Sequence, residues 1–188
     1  MTDAGTGPGP TSGADPTAGA EPAAGAGRDE AGAGGLTHVD AAGAARMVDV
    51  SAKAESARRA VASGKVYVAA EVIEALRGEG VPKGDALAVA RIAGIMGAKR
   101  TPDLIPLCHP IALTGVKVNL EVADDAVLIE AIVKTTDRTG VEMEALTAVT
   151  VAGLSVIDMI KAIDPAAVLS DVRVETKDGG KTGHWERP

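Results

Sequence analysis

The chain has 188 residues, a single cysteine, no Phe, one Tyr and one Trp, and a formal charge of −7 at pH 7. That length suits one domain with an added segment. The near-absence of aromatics argues against stacking platforms for single-stranded nucleic acid, and the lone Cys108 excludes an internal disulfide and fits a reducing, cytoplasmic setting. From Thr2 to Gly35 there is no Val, Ile, Leu or aromatic residue. Such a stretch cannot bury enough apolar surface to offset the entropy of ordering it. Residues 1–35 are therefore expected to be a disordered Gly/Ala/Pro-rich tail, and without a basic start or an apolar stretch they do not read as a secretory signal. The tail holds five acids and one base, leaving residues 36–188 close to neutral at −3. A near-neutral domain has no whole-molecule pull on nucleic acid or on a membrane surface. The longest uncharged helical stretch, Ala145–Ile157, is too short to span a bilayer.

Along the domain, Leu36–Ala60 is a lead-in with Arg46, Lys53 and Arg58 and little periodicity. Lys65–Val68, within Ala62–Ala69, alternates as a strand does. Ala70–Arg77 reads as a short helix stopped at Gly78 and Gly80, and Pro82–Asp85 as a turn with Asp85 an N-cap. A second helix over about Ala86–Lys99 would place Leu87, Ala90, Ile92, Ile95 and Met96 inside. Three prolines in Thr101–Pro110 are expected to hold that stretch out of helix. Val116–Val122 and Val127–Val133 alternate about Asp124-Asp125, the pattern of a hairpin. Thr139-Gly140-Val141-Glu142 matches a capping box opening a helix from about Glu142 to Ala162. Val168–Thr176 reads as a last strand and Gly179–Gly183 as a loop. The order predicts an α+β fold, an antiparallel sheet with helices packed on one face, ferredoxin-like in outline. Because Ala145–Ile157 is uncharged on every face and one sheet covers one face, a second subunit is the simplest cover for the rest.

Four groups could carry chemistry. Asp158 and Lys161, three apart on the long helix, share a face; they are either an ordinary ion pair worth about 0.2–0.5 kcal/mol or a coupled acid and base. Glu142 and Glu144 lie in the first turn of the same helix, where the dipole favours acids. Along an unbroken helix Glu144 and Asp158 are about 21 Å apart at roughly 1.5 Å per residue. Both serve one site only if it holds a long ligand or is built from two subunits. His109 is either a buried or capping imidazole or a pocket residue. His38, His109 and His184 have no ligand spacing, so no metal site is expected, and adjacency does not make Cys108 and His109 a catalytic pair. Arg46, Lys53, Arg58, Lys83, Lys161, Lys177 and Lys181 form a scattered basic set, several beside glycines where backbone N–H groups meet phosphate. Gly180-Lys181-Thr182 is no P-loop, because Glu175 stands where that pattern needs glycine and no helix follows.

Five runs taken in order carry a resemblance: Met47–Lys53, Lys83-Gly84-Asp85, Lys99–Pro110, Thr139–Leu146 and Asp158–Ala162. Together they resemble the cyclic pyranopterin monophosphate synthase family, also called molybdenum cofactor biosynthesis protein C, from about Leu36 to Gly183. Trp185–Pro188 is then a generic end. The resemblance implies a lyase that converts 3′,8-cyclo-7,8-dihydroguanosine 5′-triphosphate into cyclic pyranopterin monophosphate and releases pyrophosphate. It implies a ferredoxin-like protomer and a hexamer built as a trimer of dimers, with sites between subunits. By motif, Asp158, Lys161 and Lys83 become catalytic, and Leu107, Cys108, His109, Glu142, Met143 and Glu144 become substrate-binding. Lys53, Arg58, Lys177 and Lys181 become phosphate or purine contacts. No cofactor is expected, and a divalent ion beside the pyrophosphate is permitted but not required. The chemistry agrees: rebuilding a purine as a pterin needs several proton transfers, and expelling pyrophosphate needs converging positive charge. Two rivals remain, a non-catalytic ligand-binding module of similar fold and a nucleic-acid binder, which the weak charge and missing aromatics disfavour.

Overall fold

The first strand, β1, begins earlier than Lys65–Val68 indicates: it runs Ser56–Tyr67, with Arg58 and Arg59 inside it. The structure is a computed structural model that describes residues 36–40, 42–78, 86–181 and 183–188. The expected tail, the Pro82–Asp85 turn and Lys83 lie outside the described residues. After β1 come α1 (Ala70–Arg77), α2 (Ala86–Ala98), a single turn α3 (Thr101–Leu104), β2 (Leu113–Val122), β3 (Ala126–Asp137), α4 (Glu142–Ile160), β4 (Val168–Asp178) and the short β5 (Trp185–Glu186). The strands form one antiparallel sheet in the order β2-β3-β1-β4-β5. The fold class is thus α+β, as expected.

The sheet's inner face and α4 supply the core. Ala60, Ala62 and Val66 of β1, Ile129, Ala131 and Val133 of β3, and Ala145, Ala148, Val149, Ala152 and Val156 of α4 are buried together. Each fully buried Val or Ile side chain contributes about 1.5–3 kcal/mol. Two glycines let the layers close. A Cβ on Gly64 of β1 would lie 2.6 Å from Val149 Cγ1, and one on Gly153 of α4 would lie 2.6 Å from Leu169 Cδ1.

Several expectations are corrected. α2 buries Ala86, Ala90, Gly94, Gly97 and Ala98, while Ile92 is 62 % exposed and Met96 also faces out. The helix turns its small residues inward because it packs closely on α4: a Cβ on Gly94 would come 2.8 Å from the Ala148 carbonyl oxygen. α2 therefore covers part of the α4 surface that one sheet leaves open, although Leu154 stays exposed. The capping box is not formed. α4 starts at Glu142 with Val141 as N-cap and no side-chain cap, so Thr139 lies two residues too early. Pro102 does not exclude helix, because it occupies the first turn of α3, where a missing N–H costs nothing. At 19 residues α4 is long and apolar enough to cross a bilayer, beyond what its uncharged middle indicates. Half of it is buried against the sheet and α2, the setting of a core helix. Trp185–Pro188 is no loose end: β5 pairs Trp185 with Lys177 and Glu186 with Thr176.

Candidate active site

α4 carries functional groups at both of its ends. At the N-terminal end, the loop after α3 brings Cys108 beside the helix's first turn, and the thiol donates to Glu144 Oε1 at 3.5 Å. Glu144 is 1 % exposed, and its Oε2 has no hydrogen-bond partner among the described residues. Burial raises its carboxyl above the usual range, and nearby Glu142 adds to the shift. Burial, then the Glu144 charge, pushes the Cys108 thiol up to about 11. A thiol so placed stays protonated near neutrality and serves as a donor, not a nucleophile. His109 Nε2 lies 2.7 Å from the Val48 carbonyl oxygen. A carbonyl only accepts, so Nε2 carries a proton.

Beside this end opens a small cleft of about 90 Å³ lined by Arg58, Arg59, Gly140, Val141, Glu142, Lys177, Asp178 and Gly179. Lys177 Nζ is 3.2 Å from Glu142 Oε1, and Arg59 is 3.5 Å from Asp178. The Arg58 guanidinium is held by the carbonyls of Asp137 (2.9 Å) and Arg138 (3.0 Å). Arg138 in turn lines a more open cleft of about 410 Å³ with Met47, Val48, Asp49, Val50, Ser51 and His109. Arg58 thus ties the two clefts together. A hollow of about 670 Å³ on the open face of the sheet, lined among others by Ser63, Lys65, Asn119 and Glu130, holds none of the motif residues.

At the other end of α4, Lys161 Nζ meets Asp158 Oδ1 at 2.7 Å, with both side chains more than half exposed. Asp164 fixes this end to the rest of the fold: its Oδ2 accepts the Ala69 N–H at 2.8 Å, before α1. Of the expected residues, the structure gathers Arg58, Cys108, His109, Glu142, Glu144 and Lys177 about the first end, with Met143 partly exposed on the same turn and Leu107 half-buried beside Cys108. Asp158 and Lys161 stand apart from them within one chain. Lys53 and Lys181 are exposed, and Lys83 is outside the described residues. Arg59, Asp178 and Arg138 were not foreseen. Among the described residues no cluster of three or more His, Cys, Asp or Glu side chains is placed to hold a metal ion.

The MoaC family model matches residues 47–180, a span that contains both ends of α4 and the cleft. The chain belongs to the MoaC family. Curated relatives agree. A protein of Streptomyces avermitilis named cyclic pyranopterin monophosphate synthase is 74% identical over 152 residues, 81% of this chain and 89% of the relative. One of the same name from Nocardioides sp. is 69% identical over 156 residues, 81% of this chain and 96% of the relative. A cyclic pyranopterin monophosphate synthase 2 of Mycobacterium tuberculosis is 57% identical over 154 residues, covering 82% of this chain and 92% of its own. In this MoaC-family chain the two ends of α4 are joined by an unbroken, half-buried helix, so neither can approach the other by local motion.

Proposed function

We propose that this chain catalyses the cyclic pyranopterin monophosphate synthase reaction of molybdenum cofactor biosynthesis, in the cytoplasm. It converts 3′,8-cyclo-7,8-dihydroguanosine 5′-triphosphate into cyclic pyranopterin monophosphate and releases pyrophosphate. The carrying observation is the separation of the motif residues to opposite ends of α4, about 21 Å apart at ~1.5 Å per residue. Of the two ways to use both ends at one site, a long ligand or two chains, we take the second. The reading therefore includes a homo-oligomer, a hexamer of three dimers, with active sites between subunits. The sheet order β2-β3-β1-β4 around two helical crossings supports a ferredoxin-like protomer.

In this scheme Asp158 and Lys161 pass protons during opening and rebuilding of the purine, with Lys83 as their companion. Their 2.7 Å contact puts an ammonium donor and a carboxylate acceptor within direct proton-transfer reach. More than half exposed in one chain, the pair is screened by water, and a partner subunit would supply the dry wall that proton transfer needs. At the other end Glu144 supplies a buried carboxyl whose pKa burial raises, while Leu107, Cys108, His109, Glu142 and Met143 shape the base-binding side. Lys53, Arg58, Lys177 and Lys181 meet the triphosphate and stabilise charge as pyrophosphate leaves.

The test is direct. Purified protein is given the cyclised nucleotide and pyrophosphate is followed. Wild type is expected to release it, and Asp158→Asn to assemble normally while turning over at least ~100-fold more slowly, the lower end of general acid–base contributions. A protein that binds the nucleotide but releases nothing would instead be the non-catalytic binding module.

A further inference from the structure

The sheet's last strand lies beyond residue 180, where the family match ends, yet it grips the strand that carries Lys177. β5 pairs Trp185 with Lys177 and Glu186 with Thr176, the closing residues of β4. Arg187 extends the grip: its backbone N–H donates to the Glu175 carbonyl at 2.8 Å and its Nε to the Val174 carbonyl at 2.8 Å. The reversal between the strands is made by Gly179, Gly180 and Gly183, all at positive φ. A Cβ on Gly180 would collide with the Arg58 guanidinium, so the loop presses on that side chain. Across its mouth His184 Nδ1 meets Asp178 Oδ1 at 2.6 Å.

We propose that β5 and the His184–Asp178 contact form a clasp that positions Lys177 for the substrate's phosphate groups, with His184 the positioning residue. Lys177 lies between the clasp on one edge and β1 on the other, where it pairs with Ala60. Without β5, the end of β4 is an open edge whose last residues fray, and the lysine's placement against Glu142 at 3.2 Å loosens. The groups facing the imidazole are Asp178 of β4 and Glu186 of β5, with Arg59 of β1 on the far side of the Asp178 carboxylate. The hydrogen bond to Asp178 raises the imidazole's pKa and lowers that of the carboxyl. The His184–Asp178 contact is therefore a charged pair above Asp178's depressed pKa and weakens as pH rises through the elevated His184 pKa, whereas the pairing of β5 does not titrate.

This inference rests on the phosphate role given to Lys177 above, so its test uses both turnover and a simpler anion. His184→Gln and a chain ending at Gly183 are compared with wild type, each by pyrophosphate release and by calorimetric binding of inorganic triphosphate. Near neutral pH both changes are expected to raise KM by about three- to tenfold with kcat within about twofold, and to weaken triphosphate binding in parallel. Referring each variant to wild type at the same pH cancels the ligand's own titration, and the His184→Gln difference should shrink as wild type's His184 deprotonates. In a Lys177→Met background His184→Gln should add nothing further. If wild type releases no pyrophosphate, the reaction assignment fails and the triphosphate arm alone judges the clasp. Unchanged triphosphate affinity in both variants across the pH range would overturn the clasp, as would an undiminished effect of His184→Gln without Lys177.

Discussion

Glu144 is a carboxyl placed where solvation cannot help it. It is 1 % exposed, one oxygen takes a thiol donor and the other takes none among the described residues. Burial raises its pKa in the folded chain, and the sign of the consequence follows. Below the ordinary carboxylate range both folded and unfolded states hold the proton, so the group contributes nothing to pH dependence. Above that range the unfolded chain ionises first, and folding stability falls until the pH passes the raised value. Wild type should therefore lose melting temperature on going from mildly acidic to neutral pH more steeply than Glu144→Gln, whose amide does not titrate. Parallel melting curves for the two proteins in that window would show that Glu144 ionises normally. The same burial explains why Cys108, at about 11, acts as a donor to this carboxyl rather than as a reactive thiol.

Among the elements, the seam between α2 and α4 is the most tightly specified. Gly94→Ala would bring a methyl 2.8 Å from the Ala148 carbonyl oxygen, 3.1 Å from Ala152 Cβ and 3.3 Å from Val118 Cγ2. The gain in helix propensity, about 0.8–1.0 kcal/mol, is outweighed by overpacking of about 1–3 kcal/mol. Denaturant midpoints should fall for Gly94→Ala, whereas Ile92→Ala on the exposed face of the same helix should change the isolated domain little; the reverse order would mean α2 is turned the other way. That seam also marks what the sequence conceals. α1 and the hairpin about Asp124-Asp125 are legible because apolar spacing and turn residues act over a few positions. The orientation of α2 is not, since large apolar residues look like the inner face until a second helix demands small ones. The opening residues of β1 hide because Arg58 and Arg59 interrupt the apolar pattern. β5 is only two residues long and acquires meaning from β4 alone. For the site, the motif runs and the length of α4 are readable from the chain, and they already separate Glu144 from Asp158. The cleft is not: Arg59 meets Asp178 because β1 and β4 pair in register, a contact across 119 positions that no local pattern encodes.

At the scale of the whole molecule, the protomer leaves apolar groups in solvent that its own core does not use. Val89, Ile92 and Met96 recur along one face of α2, and Leu104 and Leu154 are exposed as well. Covering them with a second copy would accord with the proposed site drawn from two chains, and that arrangement has a consequence that a self-contained protomer lacks. Glu144→Gln damages the N-terminal end of α4 and Asp158→Asn the C-terminal end. If each site takes one end from each of two chains, mixing the two inactive variants and allowing subunits to exchange creates sites in which both ends are intact. With equal amounts and random exchange, each end is intact in half of the chains, so about one quarter of the sites recover whatever the number of subunits around a closed ring of such contacts. Pyrophosphate release should therefore rise from near zero to about a quarter of the wild-type rate over the time of subunit exchange, and should stay flat when exchange is prevented by crosslinking each variant beforehand. A mixture that exchanges its subunits, shown by mass-tagged chains, yet recovers no activity would place the complete site within one protomer and set the length of α4 against the proposed chemistry.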